Sequence, residues 1–117
     1  PEALTLLRAF WNNNFGIQDK YVAFWDKVAE RLSPNKYVIG FDPFNEPMPS
    51  WTSVMDALYT ATFGHFDATD LTPIYTRIYE AIKKHDDNNI MYFEPGQFPD
   101  EAPGMVFDLG FKTPPGG

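Results

Sequence analysis

Apolar residues recur three and four positions apart along two stretches of the chain. In the first, Tyr21, Phe24, Trp25, Val28, Ala29 and Leu32 fall on one side of a helix, and Lys20, Asp26, Lys27, Glu30 and Arg31 fall largely on the other. This spacing predicts a helix over about Ile17 to Leu32, stopped by Ser33-Pro34-Asn35. The place of Trp25 within the stripe favours core packing over service as a ligand-stacking platform. The second stripe is Leu71, Ile74, Tyr75, Ile78, Tyr79 and Ile82. Here Thr72 is expected as N-cap, with Pro73 at the first helical position. Lys83, Lys84 and His85 occupy the last turn, where positive charge suits the helix dipole, so His85 has a structural explanation. Upstream, Leu4, Leu6, Leu7, Ala9, Phe10 and Trp11 predict a short helix or helix end across Pro1 to Trp11. Asn12-Asn13-Asn14-Phe15-Gly16 then reads as a turn, since Asn and Gly tolerate positive φ.

Two other runs lack helical spacing. Tyr37-Val38-Ile39-Gly40-Phe41 and Ile90-Met91-Tyr92-Phe93-Glu94 are short and rich in aromatic and β-branched residues, the pattern of strands covered on both faces. Pro43, Pro47 and Pro95 remove ladder donors and end them. Strand, helix, strand in this order gives a parallel βαβ unit and an α/β class. The connection from Pro47 to Leu71 is long, and loops of that length are usually functional or locally helical. Ser50 is placed to cap a short helix over Val54 and Leu58, followed by an irregular Thr62–Asp67. Trp51, Phe63, His65 and Phe66 are candidates for lining a cleft there. The competing reading packs the aromatics onto the rim and leaves His65 exposed. Gly96 to Gly117, rich in Pro and Gly without a period, reads as a long loop on the same side.

The chemistry turns on carboxylates. Glu46 and Glu94 both end strands, both precede proline, and lie on consecutive strands. α/β folds place reactive groups just past the carboxyl ends of their strands. Two carboxyl groups roughly 5–5.5 Å apart can share acid and nucleophile roles, a spacing that neighbouring strand ends can reach. From the residues alone Glu46 and Glu94 make a pair. A Glu between two prolines at the end of a buried strand would be desolvated to no structural purpose, which favours catalysis by Glu46. Asp42 is expected to point away from Glu46 or to bind loop amides.

Composition narrows the classes. With 44% hydrophobic and 21% charged residues the chain is globular, and its net charge of -7 argues against nucleic acid and anionic membrane surfaces as partners. There is no Cys, no His-x-x-x-His, no Asp-x-Asp-x-Asp-Gly loop and no Gly-rich phosphate loop, so no metal or cofactor is expected. No transmembrane run or signal peptide is present.

Three runs carry a family resemblance: Gly16 to Trp25, Tyr37 to Pro47 with its Asn45-Glu46-Pro47, and Phe93-Glu94-Pro95. Together with Gly110 to Gly117, they resemble glycoside hydrolase family 5, within it the endoglycoceramidase and endoglycoceramidase-related branch. The resemblance implies a (β/α)8 TIM barrel. A complete barrel has about 250 residues, so these 117 are expected to be an internal segment, residues 1–117 of a partial catalytic domain with about two parallel strands and flanking helices. It implies a retaining endo-β-glycosidase acting between a glycan and ceramide, with Glu46 as general acid/base. Asn45 would hydrogen-bond the sugar 2-hydroxyl, and the nucleophilic Glu would come from a later strand beyond Gly117. Glu94 then becomes a residue of the cleft wall on the substrate side, or one that stands behind the groups touching substrate, and Trp51 is a further substrate-side candidate. The partner implied is a glycolipid or oligosaccharide, and a secreted or extracellular setting is favoured. The alternatives are another family 5 β-glycosidase such as an endoglucanase, or a carbohydrate- or lipid-binding relative without catalysis.

Overall fold

In the computed structural model the described residues are 2–50 and 65–96. They form α1 (Glu2–Trp11), α2 (Ile17–Leu32), β1 (Gly40–Phe41), α3 (Thr72–Lys83) and β2 (Ile90–Met91). β1 and β2 are parallel, with Gly40 opposite Ile90 and Phe41 opposite Met91. One further bond, from Tyr92 N–H to the Phe41 carbonyl (2.8 Å), carries the pairing toward the carboxyl ends. The βαβ order read from the sequence is present.

The core lies between the strand pair and the helices α2 and α3. Ala29, Phe41, Phe66, Leu71, Ile74, Tyr75, Ile78, Ile82 and Met91 are buried, and Trp25, Val28, Val38 and Phe93 pack against them. The stripe of α3 is therefore its buried face, and Trp25 sits edge-on to Phe41 with ring centroids 6.4 Å apart. α2 and α3 are also joined at their surfaces. Arg77 donates to Gln18 Oε1 (3.0 Å) and to Asp19, and Asp26 Oδ1 meets Lys84 (3.4 Å) and His85 (3.3 Å). His85 thus contributes an inter-helix contact besides its place near the helix terminus.

Two expectations are corrected. The first is that the strands are five residues long and covered on both faces. Pairing spans two residues, and Tyr37, Ile39 and Ile90 are 80%, 75% and 59% exposed. The amides of Tyr37 and Val38 are already used: Asn35 accepts from the first through its side chain (3.1 Å) and from the second through its carbonyl (3.0 Å). Such an Asn-centred turn competes with the ladder for the same donors. The helices cover one face of the pair, and among the described residues nothing covers the other.

The second correction concerns Thr72. It is not an N-cap, because helical backbone continues upstream through a π turn at Asp67–Leu71. Thr72 N–H and its hydroxyl both bond the Asp67 carbonyl, the latter at 2.6 Å. Pro73 explains the wide turn: it has no N–H to give, and its ring would clash with the carbonyl four residues back in a regular helix. The capping of α2 was also hidden in the sequence. Asn13 Oδ1 accepts from the amides of Gln18 (2.9 Å) and Asp19 (3.3 Å), with Asn13, Phe15 and Gly16 all at positive φ. The short helix expected over Val54 and Leu58 and the loop expected beyond Gly96 lie outside the described residues.

Candidate active site

Both candidate carboxylates leave the carboxyl ends of adjacent parallel strands, as the sequence pattern required. β1 ends at Phe41, and the chain then alternates buried and exposed. Phe41, Pro43 and Pro47 are buried, while Asp42, Asn45 and Glu46 are exposed. The two prolines anchor the segment and present the polar residues between them.

Aromatic side chains from α1 and α2 secure the ends of this segment. Tyr21 OH donates to the Pro43 carbonyl, and Trp11 Nε1 donates to the Met48 carbonyl at 2.8 Å. The Phe44 ring sits edge-on to Tyr75 at 5.3 Å and tilted against Tyr21 at 5.2 Å. Edge-to-face pairs at such spacings add to the burial of their faces. An aromatic cluster thus forms a floor under Asn45 and Glu46.

Glu94 lies three residues past β2 and close to that segment. Its Oε2 accepts from the Glu46 backbone N–H at 2.7 Å, across 48 residues of sequence. The backbone of Glu94 is held by Tyr75 on α3. Glu94 N–H donates to Tyr75 OH at 2.9 Å, and that hydroxyl stands 3.2 Å from the Glu94 carbonyl, to which it donates. Burial pushes the Tyr75 phenol up to about 12, opposed by its bond to Glu94 and reinforced by the charges of Asp42 and Glu94. Desolvation, then the nearby Glu94 charge, raises the Asp42 carboxyl, while the Phe44 amide lowers it.

The remaining candidates divide. Phe66 is buried and meets Trp11 edge-on at 4.8 Å, so it packs the rim rather than facing outward, whereas His65 is exposed. Trp51 and Phe63 lie outside the described residues. Two groups escaped the sequence reading. Asp67 is a buried carboxylate whose Oδ1 accepts from Gly96 N–H at 2.7 Å; burial raises it to about 6 against the pull of that bond. A Cβ on Gly96 would stand 2.5 Å from the Phe66 ring, so glycine is what allows this contact. Tyr75 was read only as one more core residue. The signal available was a phenol inside an otherwise aliphatic stripe, since a buried Tyr hydroxyl requires a partner.

Known proteins resemble this chain in sequence and fold. An endoglycoceramidase of Cyanea nozakii is 30% identical over 118 residues, 98% of this chain and 21% of that protein. A beta-xylosidase of Phanerodontia chrysosporium is 26% identical over 83% of this chain and 17% of its own length. The chain therefore spans about a fifth of the curated relatives it matches. Among solved structures, endo-glycoceramidase II from Rhodococcus sp. in its ganglioside GM3 complex superimposes with a TM-score of 0.60, at 25% identity, over 75% of this chain and 18% of that one. The sequence pattern of the family described as Cellulase (glycosyl hydrolase family 5) matches residues 7–107, which takes in both strands, α2, α3, the second half of α1 and both candidate carboxylates. The chain belongs to glycosyl hydrolase family 5.

Proposed function

We propose that this chain is part of the (β/α)8 barrel of a retaining β-glycosidase, and that Glu46 is its general acid/base. The observation that carries the reading is the exposed Asn45-Glu46 pair, held just past the end of a parallel strand by buried prolines and an aromatic floor. Chemistry in barrel enzymes is built at this end of the strands. Glu46 gives its proton to the glycosidic oxygen as the bond to the anomeric carbon breaks. A carboxylate from a later strand takes the anomeric carbon, and Glu46 then removes a proton from the water that releases the sugar. Asn45 is positioned beside Glu46 to hydrogen-bond the sugar 2-hydroxyl, a bond that strengthens as charge develops at the ring. Trp51 is proposed as a further residue that contacts the sugar.

The substrate proposed is a glycosphingolipid, cleaved between glycan and ceramide. It is supported by the likeness to endoglycoceramidases, one of them in complex with ganglioside GM3. A second reading, another family 5 β-glycosidase such as an endoglucanase, draws support from the beta-xylosidase relative. The full-length protein carrying Glu46→Ala tests the role of Glu46. Hydrolysis of natural glycolipid should collapse, while the first step on an activated aryl glycoside is spared. Added azide should restore turnover and give a glycosyl azide of retained β configuration. A product of α configuration would assign Glu46 as nucleophile, and undiminished glycolipid hydrolysis would remove it from catalysis. Comparing release of sugar from ganglioside, cellulose oligomers and aryl xyloside by the wild type decides between the two readings.

A further inference from the structure

Glu46 has φ 48°, in the left-handed region, and it precedes Pro47. A non-glycine residue there is strained, and a residue before proline is pushed toward extended conformations instead. Such a conformation persists only where its surroundings over-determine it. The bonds from Tyr21 and Trp11 fix Pro43 and Met48, three residues before and two after. At Glu46 itself the contact is the 2.7 Å bond from its N–H to Glu94 Oε2. Glu94 is in turn tied at both backbone groups to Tyr75, which is 0% exposed within α3. The geometry points to Glu94 as a positioning residue: its carboxylate, anchored through Tyr75, holds the Glu46 backbone in the left-handed conformation that aims the acid/base at the glycosidic oxygen. This inference rests on the acid/base assignment to Glu46. It gives Glu94 no bond to make or break in the reaction, and no part in binding sugar.

Two conservative variants of the full-length enzyme separate reach from charge. Glu94→Gln keeps an acceptor oxygen at the same distance and loses the charge. Glu94→Asp keeps the charge and draws the oxygen back by one methylene. A positioning role predicts that Gln retains activity within a few-fold. Asp should lose about 10- to 100-fold in kcat, the scale of a misplacement near 1 Å. The loss should fall on substrates with poor leaving groups, which need the Glu46 proton, and spare dinitrophenyl glycosides. Tyr75→Phe should show the same leaving-group pattern in weaker form. The inference is overturned if Gln is as impaired as Asp with both substrate types, which would make Glu94 itself a catalytic carboxylate. It is equally overturned if either variant raises KM without a leaving-group dependence, which would make Glu94 a sugar ligand. Glu46→Ala measured alongside keeps the two readings apart. If that variant lacks the leaving-group split, the acid/base assignment has failed; if it shows the split and Glu94→Asp does not, only the positioning role has.

Discussion

Replacing Asp67 by Asn should stabilise the protein at alkaline pH and leave it unchanged in acid. Asp67 is 1% exposed, and burial raises its carboxyl from 3.8 to about 6. With the folded-state value above the unfolded one, the group is protonated in both states below pH 3.8. Between 3.8 and about 6 the unfolded chain gives up its proton first, so stability falls as pH rises. Above about 6 the full penalty applies. A shift of roughly 2 units at 1.36 kcal/mol each sets that penalty at about 3 kcal/mol. Asn carries no charge and keeps an oxygen where Asp67 Oδ1 accepts from Gly96 N–H, so the substitution removes the penalty without orphaning the amide. The assay is denaturant unfolding of full-length wild type and Asp67→Asn from pH 4 to pH 8. Every other titrating group is common to both proteins, so the difference between the curves isolates Asp67. It should be only about 0.5 kcal/mol at pH 4 and approach about 3 kcal/mol in favour of Asn at pH 8. A difference that does not change with pH, or an Asn variant less stable at pH 8, would refute the reasoning.

Gly40→Ala should destabilise the protein by several kcal/mol, since its Cβ would stand 2.5 Å from the Ile90 carbonyl oxygen and 2.8 Å from the Tyr92 ring; a loss of unfolding free energy below about 1 kcal/mol in denaturant titration would contradict this. Tyr75→Phe keeps the ring and leaves the Glu94 amide and carbonyl without their partner, so a loss of about 1–3 kcal/mol is expected in the same measurement. Arg77→Ala removes a half-exposed link between α2 and α3, and its effect should stay below about 1 kcal/mol and shrink in high salt.

The helices were legible because helical periodicity is local. The stripe from Tyr21 to Leu32 places α2 at its observed bounds, and the stripe from Leu71 to Ile82 marks the buried side of α3. The ends of elements were less so, because they depend on which groups compete for a backbone donor. Asn35 takes the amides that would lengthen β1, and Pro73 opens a π turn where Thr72 promised a cap. At the site, the sequence put Glu46 and Glu94 on adjacent strand ends, and the structure brings them together. It could not supply the form of the contact, a carboxylate on a backbone amide. Nor could it supply the left-handed φ of Glu46, because nothing in the string Asn45-Glu46-Pro47 favours it. Both depend on Tyr75, which reaches them from a helix.

The π turn ahead of α3 makes the length of the chain matter there more than its composition. Each residue of an α-helix turns the axis by about 100°, and the turn at Asp67–Leu71 holds one residue beyond the α count. That extra residue sets the angular phase of everything upstream relative to α3. Phe66 and Asp67 face Gly96 only in this phase. Substitutions at exposed Thr69 should therefore pass with little effect, whereas deleting any one residue from 68 to 71 would close the turn to regular α geometry. The upstream residues would swing by about a quarter turn, lifting the Asp67 carboxylate and the Phe66 ring away from the backbone that follows β2. The segment counts residues, and a family member one residue shorter here would need a different way to seat the chain beyond its second strand.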